Sequence, residues 1–297
     1  MNVLSELQKV EKSWLIPLYA TCQHVFSQTH LPSHNEDHHH RVWILAKELI
    51  KQLEKQAITF TRSDLTKIII AAFLHDTGMS VTIDKTHGKE SRKICKKFIE
   101  EYNPEDIDNL QELLDVIENH DDKEYQNKFA KIKNQKHLFK ILSVCDDLDA
   151  FGLTGVYRYI EIYLMRGIPV KDIGSMVLKN LTGRINYFTG SFRYLEKYHK
   201  KHIKRFDLTW AFFTDLNNQI IHEKKTNSLN GPVGVINLIN HHVIVEKMTP
   251  VEASEFIIRN TTDDYVKNYF TIIKFDTECT KTNLSLLLQF YGFLLSN

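Results

Sequence analysis

The stretch IIIAAFLHDTGMS (residues 68–80) places seven consecutive apolar residues directly before His75 and Asp76. Ahead of it, the TRSD sequence at 61–64 has a threonine followed three residues later by an acid, which predicts a helix that begins after Thr61. Burying an unpaired charge is costly, so a buried acid or imidazole is usually neutralised or coordinated. His75 and Asp76 therefore either emerge into solvent where the helix ends or have compensating partners elsewhere in the chain.

Other segments also carry an imidazole or a carboxylate on an apolar helical stripe. His38 shares its helix face with Val42, Leu45, Ala46 and Leu49, whereas His39 and His40 are predicted to point away from it and to be surface or structural residues. The same pattern recurs in three further segments, at His87, His120 and Asp146. One histidine of this kind is usually structural, but several from different helices indicate a shared centre. Neutral imidazoles and carboxylates are ligands of divalent metal ions.

Nearly every segment of the chain has helical periodicity, and only 11 glycines and 6 prolines interrupt it, so the sequence predicts an all-α protein. The predicted helices lie near residues 3–28, 37–56, 61–74, 88–102, 105–120, 135–148, 153–166, 190–224, 231–246, 250–259 and 281–295. The TPVE sequence at 249–252 is a clear helix start. The segment HHVIVEKM (241–248) is ambiguous between strand and helix. RGIPVKD (166–172) is the best boundary between two domains, 1–165 and 166–297.

Composition limits the function classes that the chain can belong to. The formal net charge is +1, so no overall field favours nucleic acid or a membrane. The four cysteines form no CxxC pair, which predicts reduced thiols in the cytoplasm, and the sequence shows no apolar signal core and no membrane span. The basic segment 193–206 is interpreted as a solvated helix face, with attraction of an anionic substrate or nucleic acid as the alternative.

Five motifs together resemble a known family. They are SHNEDHHHRVWILA (33–46), AAFLHDTG (71–78), HGKES (87–91), IENH (117–120) and CDDLDAFGLTGVYR (145–158). In this order they make residues 30–165 similar to the HD superfamily of metal-dependent phosphohydrolases, and LDAFG (148–152) resembles the last motif of a bacterial branch. The resemblance implies an HD-type helical bundle in 1–165, while 166–297 would be an additional helical region of unknown role.

The resemblance also implies the residues of the site. His38, His75, Asp76 and Asp146 would bind one divalent ion, which would be Mn, Fe, Ni, Co or Mg. His87 and His120 would bind a second ion or contact the substrate phosphate. Met79 stands where hydrolases of cyclic di-GMP carry a lysine, and the Glu-Asp pair of guanosine tetraphosphate hydrolases is missing, so neither substrate is expected.

The chemistry expected of such a site is hydrolysis of a phosphoester or phosphoanhydride by metal-activated water. Asp76, His87 and His120 are the expected catalytic residues, with a structural core role as the alternative for the two histidines. His34 and Arg158 are expected to bind substrate, His34 at the pocket mouth and Arg158 at the phosphate, and each has a surface position as its alternative.

Three function classes follow. The first is a phosphohydrolase that acts on a nucleotide or another small phosphorylated metabolite. The alternatives are a non-catalytic nucleotide-binding or regulatory HD module and an HD-fold di-iron oxygenase. No membrane partner and no nucleic acid is expected. A homodimer is predicted, because LSLLLQFYGFLL (284–295) is apolar on more than one face.

Overall fold

The computed structural model describes residues 3–103, 107–122 and 124–290, with side chains up to residue 282. Within these ranges the regular elements are helices and no strand occurs, which confirms the all-α prediction. The helices are α1 (Val3–Phe26), α2 (Glu36–Glu54), α3 (Arg62–Leu74), α4 (His87–Tyr102), α5 (Leu110–Asn119), α6 (Leu138–Asp149), α7 (Leu153–Met165), α8 (Val170–Phe192), α9 (Glu196–Glu223), α10 (Gly231–Leu238), α11 (Pro250–Asn260) and α12 (Asp264–Phe290). A 3₁₀ turn (Thr77–Ser80) follows α3, and a π-helix (Ile239–Val245) follows α10.

The chain forms two compact units. The first comprises residues 1–149, 187–198 and 284–297, and the second comprises 150–186 and 199–283. The segment 284–295, on which the homodimer prediction depends, lies outside the residues whose side chains the structure describes. The predicted domain boundary at 165/166 stays a prediction.

Helix α3 is the central element of the first unit. It packs against α1, α2, α4, α5 and α6, and every residue from Leu65 to Leu74 is buried. The uninterrupted apolar run of its sequence is explained by this position, because a helix that is surrounded on all sides needs no polar face. The last turn of α3 therefore delivers His75 and Asp76 into the interior of the unit rather than to its surface.

The start of α3 is fixed by a capping box. The Thr61 side chain accepts a hydrogen bond from the Asp64 backbone N–H, and the Asp64 carboxylate accepts one from the Thr61 backbone N–H. The same arrangement joins Thr249 and Glu252 at the start of α11, where Pro250 occupies the first helical position. Both predicted helix starts are confirmed, and both satisfy backbone donors that would otherwise lack an intrahelical acceptor.

We expect Thr61→Ala to lower the free energy of unfolding by about 1 kcal/mol, because the first turn of α3 loses its side-chain acceptor. Urea denaturation followed by circular dichroism measures this difference. Thr86→Ala is the matched control, since Thr86 occupies the N-cap position of α4 without a side-chain capping bond. Equal losses in the two variants would contradict the role of the Thr61 hydroxyl.

Two helices that lie mostly in the second unit were missed by the sequence analysis over much of their length. Helix α8 (Val170–Phe192) was not predicted over most of its length, and α12 begins at Asp264 rather than near residue 281. In α8 the glycines lower helix propensity, but Gly174 permits a close approach: a Cβ there would lie 2.1 Å from the Asn217 side-chain oxygen. Tertiary packing therefore overrides the weak local signal.

The ambiguous segment 241–248 is not a strand. It lies in the π-helix and its C-terminal end, and the π-helix packs against α7, α10 and α11.

All four cysteines are free thiols. Among the described helices, none combines the length and the hydropathy of a membrane-spanning segment.

Candidate metal centre

Three helix segments of the first unit bring four predicted ligands together. His38 comes from the first turns of α2, His75 and Asp76 from the end of α3, and Asp146 from the last turn of α6. All four are buried, and one potential ligand atom from each lies within 4.8 Å of the others. The His38 Nε2 and His75 Nε2 atoms are 3.3 Å apart, and Asp146 Oδ1 is 3.8 Å from the first and 3.9 Å from the second.

A second group shares Asp76 with the first and adds His87 and His120. Asp76 Oδ2 is 3.5 Å from the Nε2 atoms of both His38 and His75. Asp76 Oδ1 is 2.8 Å from His120 Nε2 and 3.2 Å from His87 Nε2. The two oxygens of one carboxylate thus face two different sets of imidazoles, so Asp76 belongs to both groups of potential ligands.

The backbone orients three of these imidazoles in the same way. His75, His87 and His120 each place Nδ1 against the carbonyl oxygen three residues earlier in the chain, at 3.0, 2.8 and 2.7 Å. A carbonyl only accepts, so Nδ1 carries a proton and Nε2 is the ring atom that could bind a metal ion. Each Nε2 faces the centre, and those of His87 and His120 lie against Asp76 Oδ1, a carboxylate oxygen that accepts.

His38 is oriented by a side chain instead of a carbonyl. Its Nδ1 donates to Asp149 Oδ2 at 2.8 Å. Asp149 also accepts two hydrogen bonds from Arg41, one from Nε at 2.8 Å and one from Nη2 at 3.0 Å. Neither Asp149 nor Arg41 is among the site residues expected from the sequence. The structure gives both a contact that holds the His38 ring and fixes its tautomer.

We expect Asp149→Asn to weaken metal binding by about 10–100-fold, because the amide no longer supplies two acceptors for His38 and Arg41. Metal titration monitored by calorimetry measures the change. Arg92→Ala is the matched control, since it removes an ion pair with Asp115 and Glu118 outside these ligand groups. Unchanged affinity in Asp149→Asn would show that Asp149 does not support the ligand.

The donor set fits a divalent cation. Two imidazole nitrogens that both act as acceptors face each other at 3.3 Å in His38 and His75, and this contact is favourable only when a positive charge lies near them. Without a metal, protons supply that charge. Burial lowers the pKa of His87, but the hydrogen bond to Asp76, the charges of Asp76 and Asp121 and the Asp84 carbonyl together raise it to about 9. Burial likewise raises the pKa of Asp76, but His75 and His120 outweigh this effect and hold it well below its usual value.

The two predicted substrate-binding residues lie in different units. His34 is buried beside the ligands: its Nδ1 is 2.7 Å from Ser33 Oγ, and its ring centroid lies 5.6 Å from that of His38. Arg158 is buried in α7, within the second unit. Neither residue is at the surface, which was the alternative for both. Their contacts with a substrate stay predictions.

His39 and His40 differ from their predicted orientation. Both are buried, because α2 is covered by α1, α3 and α6 on more than one face. Burial lowers the pKa of His40 to about 3 and that of His39 well below its usual value, so both imidazoles are neutral in the core. A surface position for these two histidines was wrong, and they are structural residues.

Comparison with known families gives one match. Residues 35–150 match the family model described as HD domain, and this range contains the six potential ligands of the two groups together with Arg41 and Asp149. His34 and Arg158 lie outside the matched range. Neither the curated proteins nor the solved structures yield a match to this chain.

Proposed function

From the premise that residues 35–150 are an HD domain, we propose that this protein is a phosphohydrolase with a two-cation centre. The observation that carries the proposal is the Asp76 carboxylate, whose two oxygens face two sets of histidines. His38, His75, Asp76 and Asp146 would hold one ion, and Asp76, His87 and His120 would hold the other. The mixed nitrogen and oxygen donors suit Mn, Fe, Co, Ni or Mg.

Divalent ions held at these positions would supply Lewis acidity that activates water and polarises a phosphoryl oxygen. The chain itself contributes orientation. The Nδ1 hydrogen bonds hold the four imidazoles in one tautomer, and the buried Asp149 prevents the His38 ring from turning. Such preorganisation avoids reorganisation of the site during the reaction.

The proposed substrate is a nucleotide or another small phosphorylated metabolite. His34 supports this part of the proposal, because its buried imidazole adjoins the first ligand group and is not itself one of the clustered ligands. Arg158 is the proposed guanidinium for the phosphate. The free thiols support a cytoplasmic location, and the Leu-Asp-Ala-x-Gly motif at 148–152 supports a bacterial origin.

The same six ligands would also suit two irons with a carboxylate bridge, so a di-iron oxygenase is the second candidate function. Two tightly bound irons with an optical band that changes on exposure to oxygen would favour the oxygenase. A centre that binds nucleotide but turns over neither class of substrate would favour a regulatory module.

Elemental analysis of the full chain, prepared without a histidine tag, is the first test. After dialysis against Mn²⁺ we expect two equivalents per chain in the HD centre, one for each ligand group. The loaded protein is then assayed against phosphomonoesters, phosphodiesters and nucleoside triphosphates. Absence of bound metal, or loaded protein that is inert on all three classes, would overturn the proposal.

A further inference from the structure

A third histidine-containing cluster lies in the second unit, outside the HD domain. It consists of His241, His242 and Glu246, and it forms at the C-terminal end of the π-helix. His241 and Glu246 are five residues apart. In an α-helix, with 3.6 residues per turn, such residues would point about 140° away from each other.

The π-helix removes this separation. The Glu246 backbone N–H donates to the His241 carbonyl at 3.0 Å, an i to i+5 bond that widens the turn. As a result, His241 Nε2 lies 3.4 Å from Glu246 Oε1. A regular helix would still permit the His242–Glu246 contact, which is an i to i+4 pair, but it would not bring His241 to the same carboxylate. The π-helical turn therefore brings His241 to Glu246 and gives the cluster its third residue.

The cluster combines one buried potential ligand, His242, with two solvent-exposed ones, His241 and Glu246. His242 is buried, its Nδ1 lies 2.7 Å from Glu246 Oε2, and its ring packs against Phe256 at 4.8 Å between centroids. The side chain of His241 is 61% exposed and that of Glu246 is 41% exposed. A cation from solvent can therefore reach the cluster without unfolding of the helix.

We propose that His241, His242 and Glu246 bind a Zn²⁺ ion. Two imidazoles and one glutamate are a ligand set that zinc accepts as three protein donors, with its remaining position left to water or another ligand. One donor atom from each residue lies within 4.8 Å of the others, so small rotations of the exposed side chains bring them to one ion. A Zn²⁺ ion between the imidazoles and the carboxylate would take the place of the proton between His242 Nδ1 and Glu246 Oε2, and that proton would be released to solvent.

Zinc content after equilibrium dialysis against Zn²⁺ tests the proposal on the full chain without a tag. We expect His241→Ala and Glu246→Gln each to bind one equivalent less than wild type. His222→Ala is the matched control, because His222 is an exposed histidine of the same unit outside the cluster, and it should bind as much as wild type. Wild-type zinc content in His241→Ala and Glu246→Gln would overturn the site.

A second comparison separates this site from the HD centre. In the Asp76→Asn background, adding His241→Ala should remove one further zinc equivalent, whatever the HD centre does. Hydrolytic activity of metal-loaded His241→Ala, if the HD centre is catalytic, should equal that of wild type. Equal zinc content in the single and double variants, both folded by circular dichroism, would contradict the proposal independently of the phosphohydrolase function.

Discussion

Asp76→Asn is expected to lose metal from both ligand groups at once and to lower hydrolytic activity by at least about 10³-fold, since metal ions contribute several kcal/mol to such reactions. The reason is that each Asp76 oxygen faces a different pair of histidines, within 3.5 Å. An asparagine keeps the shape of the side chain but has one acceptor oxygen and no charge. Elemental analysis and initial rates on the same preparation measure both effects.

Two comparisons make the Asp76 result specific. Asp207→Asn, which changes an exposed acid in α9, should retain the metal and the rate of wild type. His120→Ala removes a ligand from the second group alone and should retain one equivalent in the HD centre. Two equivalents in folded Asp76→Asn protein would show that Asp76 bridges no metal ions.

Gly78→Ala is expected to disrupt the site strongly although it changes none of the potential ligand residues. Gly78 lies two residues after Asp76 in the buried 3₁₀ turn, and its N–H donates to Ser91 Oγ at 2.8 Å. A Cβ at this position would lie 2.0 Å from the His87 carbonyl oxygen and 2.5 Å from the Ser91 nitrogen. Both are backbone atoms, so the start of α4 has to move.

The displaced α4 would carry His87 away from Asp76. We therefore expect Gly78→Ala to lose the second metal equivalent and to lower the free energy of unfolding by about 1–3 kcal/mol, the usual cost of overpacking. Metal analysis and urea denaturation measure the two effects. Retention of both metals with wild-type stability would contradict the steric explanation.

Gly190→Ala is the matched control for this experiment. A Cβ at Gly190, in the last turn of α8, would meet no heavy atom within 4 Å. Alanine has a higher helix propensity than glycine, so this variant should keep wild-type metal content and gain up to about 1 kcal/mol of stability.

The apolar stripes predicted much of the candidate site. The stripe residues His38, His87, His120 and Asp146 and also His75 are each buried in one of the two ligand groups, and Asp76 is buried in both. The apolar stripes could not show which of the six residues form each group, or that one oxygen of Asp76 faces each group. That division depends on distances between helices that are far apart in sequence. The metal-binding roles themselves await the experiments above.

Other parts of the site could not be predicted from the sequence of the helices that carry them. Arg41 contacts Asp149 across 108 positions, and His38 contacts Asp149 across 111. Gly88 lies where a Cβ would meet the Glu118 carbonyl oxygen at 2.3 Å, so α4 and α5 approach closely beside His87 and His120. A glycine that permits close packing looks, in a single sequence, like any other glycine.

The sequence by itself determined the all-α class and the helix starts at Thr61 and Thr249. These features depend on hydrogen bonds and side-chain spacing within one or two turns. Only the tertiary structure decided the place of Asp76 between the two ligand groups, the Arg41–Asp149–His38 contact, helix α8 and the π turn at His241. These features arise where helices pack, because burial between distant segments can outweigh local propensity and brings together groups that no local pattern connects.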